Sequence, residues 1–588
     1  MALIAYAGAA TAVFGGLPLH QDSLTQLFQA RIFAEGALSW PSSTNPEFFS
    51  SLLVAEHEGR TFSQFPPGWA AFLAAGVLLG FPWLVAPAFA AVGVSALYYL
   101  MKADGETAAT AVWIATLYGV APWIVFNGAS SMNHVPTVSL LLLASVGLAR
   151  ATSLHPSGYS ALLAGLALGV ATTLRPLEGA CFGLPAILWL AVRAHKNHET
   201  RRPLGLLLIG GLVPGAALTW YNWAVTGSPW VFGYEVLWGA SHGLGFHEAP
   251  WGPPHTPARG IEMLSRGLNH LQAVYFESPA PALVFPLLAL FLVRRLSSLD
   301  RYLLTSACLL LAGYFAYWHE GDYLGPRFLL PLAPLVAIWT ARLPKVLADR
   351  GWVASPPLWI HFAAGVMLVG GWASGGRTAW REYSEMYPTR RVDYSVLAAP
   401  EYSSSILFAP ASWESMVATR IWATPLPRWE AQWFFDRIPL CRLDEALTSL
   451  EDGAQNPSTN GVRSLLLPLT RDSLLLAEER FSGRPLNPFL GYDDPASIPA
   501  QCMDHANAQG LGLAPSVLAI MAALGPTWDD DGPIIAQDMR ELNDRLLARH
   551  PRRTPRTLAL ERTTSGNWRP MVGAPGESSG YRGGDSNP

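Results

Sequence analysis

The stretch Pro66-Pro-Gly-Trp-Ala-Ala-Phe-Leu-Ala-Ala-Gly-Val-Leu-Leu-Gly-Phe-Pro-Trp83 decides how this chain is threaded. Eleven other apolar runs, near residues 2–17, 84–101, 107–126, 135–149, 158–174, 177–192, 204–224, 280–293, 302–318, 328–341 and 358–373, are read as membrane spans. Each approaches the length needed to cross roughly 30 Å of hydrocarbon at about 1.5 Å per residue. Counting Pro66 to Trp83 as a twelfth crossing would invert every later loop. The excess of Lys and Arg in cytoplasmic loops arbitrates. If the stretch does not cross, short inner loops hold Lys102, Arg150, Arg193, Lys196, Arg201, Arg202, Arg294, Arg295, Arg301, Arg342, Lys345 and Arg350. Only Arg31, Arg60, Arg175, Arg259, Arg266 and Arg327 are then spread over the longer outer loops. The stretch is therefore expected to be a re-entrant or interfacial helix, launched by the paired prolines Pro66 and Pro67. The N-terminus then lies inside, and the region beyond Ala373 lies outside. The first run lacks a basic leader and is barely long enough, so the natural start is expected upstream rather than at a cleaved signal peptide.

Composition agrees with this division. Charged residues make up 14% of the 588 and apolar ones 51%, where an ordinary soluble domain carries about 25% charge. Residues 1–373 hold 18 basic and 17 acidic side chains, and the last 215 residues hold 21 and 26. The expected fold is thus a polytopic α-helical membrane region, 1–373, with about 11 spans. A soluble exoplasmic α/β or α+β domain follows at 374–570, then a disordered tail at 571–588. A net charge of −4 provides no basic surface for nucleic acid. Four cysteines, two of them inside apolar runs (Cys181 and Cys308), form neither a zinc cluster nor a disulfide scaffold, although Cys441 and Cys502 would share an oxidising compartment and are expected either to pair or to stay as two thiols.

Two outer loops are long, 18–65 and 225–279. The first opens with His20, Gln21 and Asp22, followed by Leu24, Leu27, Phe28, Ile32 and Phe33 at helical spacing up to Gly36. This predicts an amphipathic helix on the membrane surface with Asp22 at its start, either as a cap or as a chemical group. A carboxylate just above the hydrocarbon boundary is partly desolvated, which favours a raised pKa and general-base competence.

Asp22 before a helix ending in Ala-Glu-Gly36, and then Phe65-Pro66-Pro67-Gly68-Trp69, resemble the first outer loop of the GT-C membrane glycosyltransferases, in particular the protein O-mannosyltransferase and lipid A aminoarabinose transferase branch. Arg175-Pro176, Asn222-Trp-Ala-Val-Thr-Gly-Ser-Pro229 and Gly325-Pro326-Arg327-Phe328-Leu-Leu-Pro331 are similar to that family as well, and the resemblance spans roughly residues 1–373. It implies transfer of a sugar from a polyprenyl-phosphate donor to a protein, lipid or glycan acceptor, at the outer face of a cytoplasmic (inner) membrane. It places Asp22 where the family's outer-loop carboxylate activates or orients the acceptor hydroxyl. Arg327 is the best candidate for the donor phosphate, because guanidinium presents a planar fork to phosphate oxygens; the alternative is a snorkelling anchor at a span end. The sequence departs from the family at Ser23, where a second acidic residue is common, and at Gln64, where a lysine is common. It departs again at Asn127-Gly-Ala-Ser-Ser-Met-Asn133-His134, where a further carboxylate is common. Asn133 is taken as acceptor or site support, or as a helix cap, and His134 as a donor-phosphate contact. Gln64 is retained as site support.

Glu320 and Asp322, in His319-Glu-Gly-Asp-Tyr323 beside Arg327, are expected to orient that arginine through an ion pair. Glu235, His242, His247, Glu248 and His255 crowd the second long loop. They have the chemistry to hold a divalent metal, but their spacing fits no ligand template, which leaves hydrogen-bonding histidines as the alternative. In the C-terminal region, Val396–Ala399 and Ile406–Phe408 read as strands, Trp413–Trp422 and Ile534–His550 as helices, and Asp529-Asp530-Asp531 as a solvated charge run. Two other functions compete with transfer. A secondary transporter or lipid-linked-saccharide flippase would need ionisable groups at the bilayer midplane, whereas here they gather at span ends. A plain membrane anchor would not need eleven spans.

Overall fold

The computed structural model describes residues 2–153, 157–353, 355–453, 457–470, 516–528, 532–563 and 568–573. The membrane region comprises α1 (Ala2–Ala12), α2 (Gln21–Ala34), β1 (Trp40–Pro41), β2 (Val54–His57), β3 (Arg60–Ser63), α3 (Pro67–Leu78), α4 (Val85–Ala103), α5 (Ala108–Gly119) and α6 (Pro122–Ala129). It continues with α7 (His134–Ala151), α8 (Gly158–Leu174), α9 (Pro176–Lys196), α10 (Arg201–Thr226), α11 (Gly233–Trp238), α12 (Pro257–Val274) and α13 (Val284–Leu292). It closes with α14 (Ser298–Phe315), α15 (Ala333–Asp349), α16 (Leu358–Gly371) and α17 (Arg377–Glu385). Among the described residues, six helical segments are long and apolar enough to cross a membrane, and a seventh forms if α5 and α6 count as one broken span. Their outward faces carry exposed Leu184, Leu188, Leu212, Val213, Phe362 and Val369, side chains that need lipid rather than water around them. The chain is a multi-pass membrane protein.

The other expected spans fall on shorter or more polar helices. The run 2–17 is only the 11-residue α1, 280–293 is the nine-residue α13, and α14 carries Asp300 and Arg301 in its first turn. The expected straight span 107–126 is bent by 63° between α5 and α6, because Pro122 removes a backbone donor and forces Ala121 out of helical geometry. Pro66 and Pro67 do start a helix, the 12-residue α3. Where α8 crosses α10, a Cβ on Gly165 would lie 1.9 Å from the Leu207 carbonyl oxygen and one on Gly210 would lie 2.2 Å from that of Leu162, so the two backbones touch as only glycine allows.

The loops sort to two ends of the helices. At one end Arg342 binds Asp104 at 2.6 Å, Asp300 at 2.7 Å and Glu106 at 2.8 Å, and Arg193 donates to the Thr152 carbonyl at 2.5 Å. At the other end Arg175 reaches Asn133 at 3.5 Å and the Tyr314 hydroxyl at 3.0 Å. Helix α14 runs from Asp300 to Tyr314, so the two clusters lie about 21 Å apart along it. This is the alternation expected from the basic residues.

Helix α2 forms as expected but does not lie on a surface with one wet face. Ser23, Thr25, Gln26 and Gln29 are buried together with its apolar side chains. A small sheet of order β1-β3-β2 covers one flank: Gln29 donates to the Leu38 carbonyl at 2.9 Å and accepts from the Ser63 amide at 2.8 Å. The C-terminal domain covers another.

Helix α16 continues through a π-type turn, Trp372–Gly376, into α17, so the sequence boundary at 373/374 falls inside a continuous helix. Beyond it lie β4 (Ser405–Ala409), α18 (Trp413–Trp422), α19 (Arg428–Phe435), α20 (Leu440–Gly453), α21 (Thr459–Leu466), α22 (Val517–Leu524), β5 (Ile534–Gln537), α23 (Asn543–Arg549), β6 (Thr554–Arg562) and β7 (Trp568–Val572). The sheet order is β5-β4-β6-β7, with β4 parallel to β5 and β6, and β7 antiparallel at the edge. Strand β4 and helix α18 match expectation. Val396–Ala399 instead falls on the 3-10 turn Tyr394–Ala398 and its C-cap, Ala399. Ile534–His550 divides into β5 and α23, because Ile534 to Ala536 are wholly buried in the sheet. Met571 and Val572, assigned to the tail, belong to β7. Cys441 is disulfide-bonded; Cys502 and Asp529–Asp531 lie outside the described residues.

The two parts are clamped together. Arg390 donates to the Leu19 carbonyl and Arg391 to that of Val13, each at 2.8 Å. Arg31 donates to Ala522 at 2.5 Å, and Trp528 to Pro41 at 2.9 Å.

Candidate active site

Asp22 stands at the second position of α2, and its neighbour His20 is the cap: His20 Nδ1 accepts from the Asp22 amide at 3.2 Å. The carboxylate is thereby free of capping. It points instead to Arg327, with Oδ2 3.1 Å from Nη1. The same Nη1 lies 3.4 Å from His20 Nδ1. Two donors facing Nδ1 make it an acceptor, so the ring proton sits on Nε2. The 3.2 Å approach of Asp22 Oδ1 to Nδ1 is then a contact rather than a hydrogen bond.

The expectation of a raised Asp22 pKa is overturned. Burial alone would push the carboxyl up, but Arg327 outweighs it and holds the group well below the usual carboxylate range. Burial lowers His20, against the upward pull of Asp22, so the ring is neutral.

Arg327 is brought here by a tight turn. Leu324 and Gly325 have φ of 51° and 93°, and the Asn127 amide donates to the Leu324 carbonyl at 3.0 Å. A Cβ on Gly325 would lie 2.6 Å from Trp123 Nε1, so both conformation and space demand glycine in Gly-Pro-Arg. Arg327 is 5% exposed, which rules out a snorkelling anchor. Its Nε has no hydrogen-bond partner among the described residues. A second guanidinium stands beside it: Arg175 pairs with Glu178 and donates to Tyr314 at 3.0 Å, and the Tyr314 hydroxyl donates to Glu178 at 2.5 Å. Both arginines lie over the Phe328 ring, at 5.0 and 5.5 Å. The charges at this site are therefore fixed before any ligand arrives.

These groups open on a cavity of about 1140 Å³. It is larger than the roughly 300–1,000 Å³ of a single small-molecule pocket, so it has room for two substrates. Its aromatic wall comes from the second long loop and its neighbour. The Tyr234 and His242 rings stack at 4.4 Å, and Trp251 meets Trp318 edge-on at 4.4 Å. The C-terminal domain adds Ser412, Trp422 and Gln432 to the lining.

Of the residues singled out in the sequence, Asp22 and Arg327 meet in this cavity. Gln64 lines it, with Oε1 accepting from Trp238 Nε1 at 2.6 Å. Asn133 sits behind it, its side chain bonded to the Leu174 carbonyl and to Arg175. His134 is buried and stacks on Phe328 at 5.9 Å, with neither ring nitrogen bonded among the described residues; it is not on the cavity wall. Glu320 and Asp322 do not orient Arg327: Glu320 binds Arg266 at 2.9 Å and Asp322 contacts His270 at 3.2 Å. Asp22 occupies the place expected of them because it approaches from another loop. Among the described residues no three His, Cys, Asp or Glu side chains group as a metal site would require. His242 is stacked, His247 is bonded to the Glu248 and Gly243 carbonyls, and His255 to that of Phe315. The sequence reading did not place the Arg175–Glu178–Tyr314 triad; the charged pair at i, i+3 after Arg-Pro was its only local signal.

No family model matches the sequence, and no curated protein does. Among solved structures the chain is similar to ArnT from Cupriavidus metallidurans bound to undecaprenyl phosphate, at 12% identity and a TM-score of 0.44, covering 69% of this chain and 81% of that one. It is also similar to the apo oligosaccharyltransferase of Archaeoglobus fulgidus, at 12% identity and a TM-score of 0.37, over 74% of this chain and 59% of that one. Both are GT-C membrane glycosyltransferases.

Proposed function

We propose that the protein transfers a glycosyl group from a polyprenyl-phosphate carrier to an acceptor hydroxyl at the outer face of a cytoplasmic membrane, which some eleven crossings with the C-terminal domain outside would allow. The observation that carries this reading is the buried Asp22–Arg327 pair, 3.1 Å apart, opening on a cavity large enough for two substrates. Arg327 retains an unused Nε donor and Arg175 adds a second positive charge, a combination suited to one phosphate. The isoprenoid tail would remain among the spans, with its headgroup at their outer end.

In the reaction the acceptor oxygen forms a bond to the anomeric carbon as the bond from that carbon to the phosphate oxygen breaks. Polyprenyl phosphate leaves with the electron pair. The hydroxyl proton passes to the Asp22 carboxylate. An aspartate held by an arginine is a weak base, and donor binding supplies the remedy. Once a phosphate shares Arg327, the carboxylate loses countercharge and gains a like-charged neighbour, and both effects raise its basicity. Acceptor activation is thus tied to the presence of donor.

Asp22→Asn tests the reading in membranes supplied with a labelled polyprenyl-phosphate sugar. Transfer is expected to fall by ~100-fold to 10,000-fold with the fold intact; full activity would remove Asp22 from the mechanism. Protease accessibility of the C-terminal domain in oriented vesicles tests its side of the membrane independently.

A further inference from the structure

The cavity lining combines two parts of different chemistry. The membrane region contributes Arg175 and Arg327. The C-terminal domain contributes Ser412, Glu414, Ser415, Trp422, Gln432 and Asp436. Trp422 is held rigidly there. Its Nε1 donates to Gln432 Oε1 at 3.0 Å, and the Arg428 guanidinium lies 3.4 Å from its ring centroid. Gln432 in turn donates to Asp436 at 2.9 Å. Arg428 also donates to the Ser51 carbonyl at 3.2 Å, which ties this platform to the outer loop that carries Asp22.

An indole clamped on one edge and one face, beside an amide, hydroxyls and carboxylates, has the recognition chemistry of a sugar ring. The C–H face of a pyranose packs against an aromatic surface, and its hydroxyls both donate and accept. Charge narrows the class further. Among the described residues lining the cavity the acidic side chains are Asp22, Glu178, Glu235, Asp322, Glu414 and Asp436, and the basic ones are Arg175 and Arg327. The imidazoles add no positive charge near neutrality: burial lowers His20, and it holds His242 at about 3 and His319 at about 4. Both guanidiniums that line the cavity belong to the Asp22 site, and that of Arg428 lies against the Trp422 ring rather than on the cavity lining. An acceptor bearing a phosphate would face carboxylates on the domain's wall, whereas an uncharged one would not.

We propose that the C-terminal domain forms the acceptor subsite and that the acceptor is an uncharged carbohydrate whose ring stacks on Trp422. This rests on the donor reading above and assigns the other substrate of the same cavity.

The test titrates the full chain in detergent, without donor, with a panel of uncharged hexose, N-acetylhexosamine and pentose oligosaccharides and with their phosphomonoesters. The wild type should bind at least one uncharged oligosaccharide more tightly than its phosphomonoester. Trp422→Ala should weaken that binding ~10-fold or more, while Trp422→Phe, which keeps a ring, stays within ~3-fold of wild type. Polyprenyl phosphate, titrated separately, should bind all three proteins alike, which also reports that the variants are folded. Equal oligosaccharide affinity in Trp422→Ala and wild type would overturn the proposal. So would preference for the phosphomonoester, or binding of a Ser/Thr-rich peptide with no oligosaccharide bound. Failure of the donor reading would appear elsewhere, as a wild type that does not bind polyprenyl phosphate.

Discussion

Two buried arginines with carboxylate partners sit at opposite ends of the helices, and they differ in what they leave unused. Arg342 spends all of its guanidinium, with Nε on Glu106, Nη1 on Asp300 and Nη2 on Asp104. Asp300 is itself locked into the Ser297 capping box at the start of α14. Arg327 makes its contacts to Asp22 and His20 through a single nitrogen, and it faces a cavity. Burial and pairing of charge are common to both. The difference teaches that buried ion pairs alone do not mark a site; unspent hydrogen-bonding capacity beside open volume does. The first cluster ties the α4–α5 loop and the start of α14 to helix α15, and the second is ready to exchange a partner.

The largest effect that would sharpen this contrast is on folding. Arg342→Leu leaves three buried carboxylates without a countercharge, and losing one partner of a buried pair costs about 3–5 kcal/mol. A lower thermal midpoint and poor recovery in detergent are expected; an unchanged midpoint would break the comparison. Arg327→Gln should do the reverse, with folding retained and polyprenyl-phosphate affinity reduced ~10-fold to 100-fold, as expected for loss of charged hydrogen bonds. Titration of the lipid phosphate reads this directly. Tyr314→Phe removes the hydroxyl that bridges Arg175 and Glu178, and a loss of ~3-fold to 10-fold in transfer rate with little change in stability is expected.

The smallest effect concerns pH. The Asp22 carboxyl is depressed in the folded protein, so its contribution to stability is fully present above the unfolded value near pH ~4 and is lost only as pH falls through the lower folded value. With donor as the limiting substrate, so that kcat/KM reports the donor-free enzyme, Asp22 should therefore add no acid limb between pH 7 and pH ~4.5. A limb there that disappears in Arg327→Gln while activity remains would show that the arginine sets it in the opposite sense.

Part of this site could be read along the chain, and part could not. Asp22 and Arg327 were singled out in the sequence, as a carboxylate opening a helix after a span and an arginine after Gly-Pro, with their roles implied by the family resemblance, and the structure brings the two side chains together. The sharp bend at Pro122 and the sheet on α2 were open to the same kind of reading, the latter through the Glu58-Gly59 turn, where both residues have positive φ. The partner of Arg327 was not legible. Glu320 and Asp322 are seven and five residues away and looked adequate, yet the ion pair closes to Asp22, 305 positions earlier, and Asp22 is kept ionised by a charge its own neighbourhood does not contain.

By itself the sequence determined the alternation of apolar runs and basic loops, and with it which loops share an end of the helices, because transfer from water to lipid is additive along the chain and depends on composition. Only the tertiary structure decided which carboxylate meets which guanidinium, the protonation that follows, and that Trp422 of the C-terminal domain lines the same cavity. Those depend on distances between atoms remote in sequence, and the Coulomb and desolvation energies that set a site's chemistry vary with separation and burial, quantities that a linear order of residues does not contain.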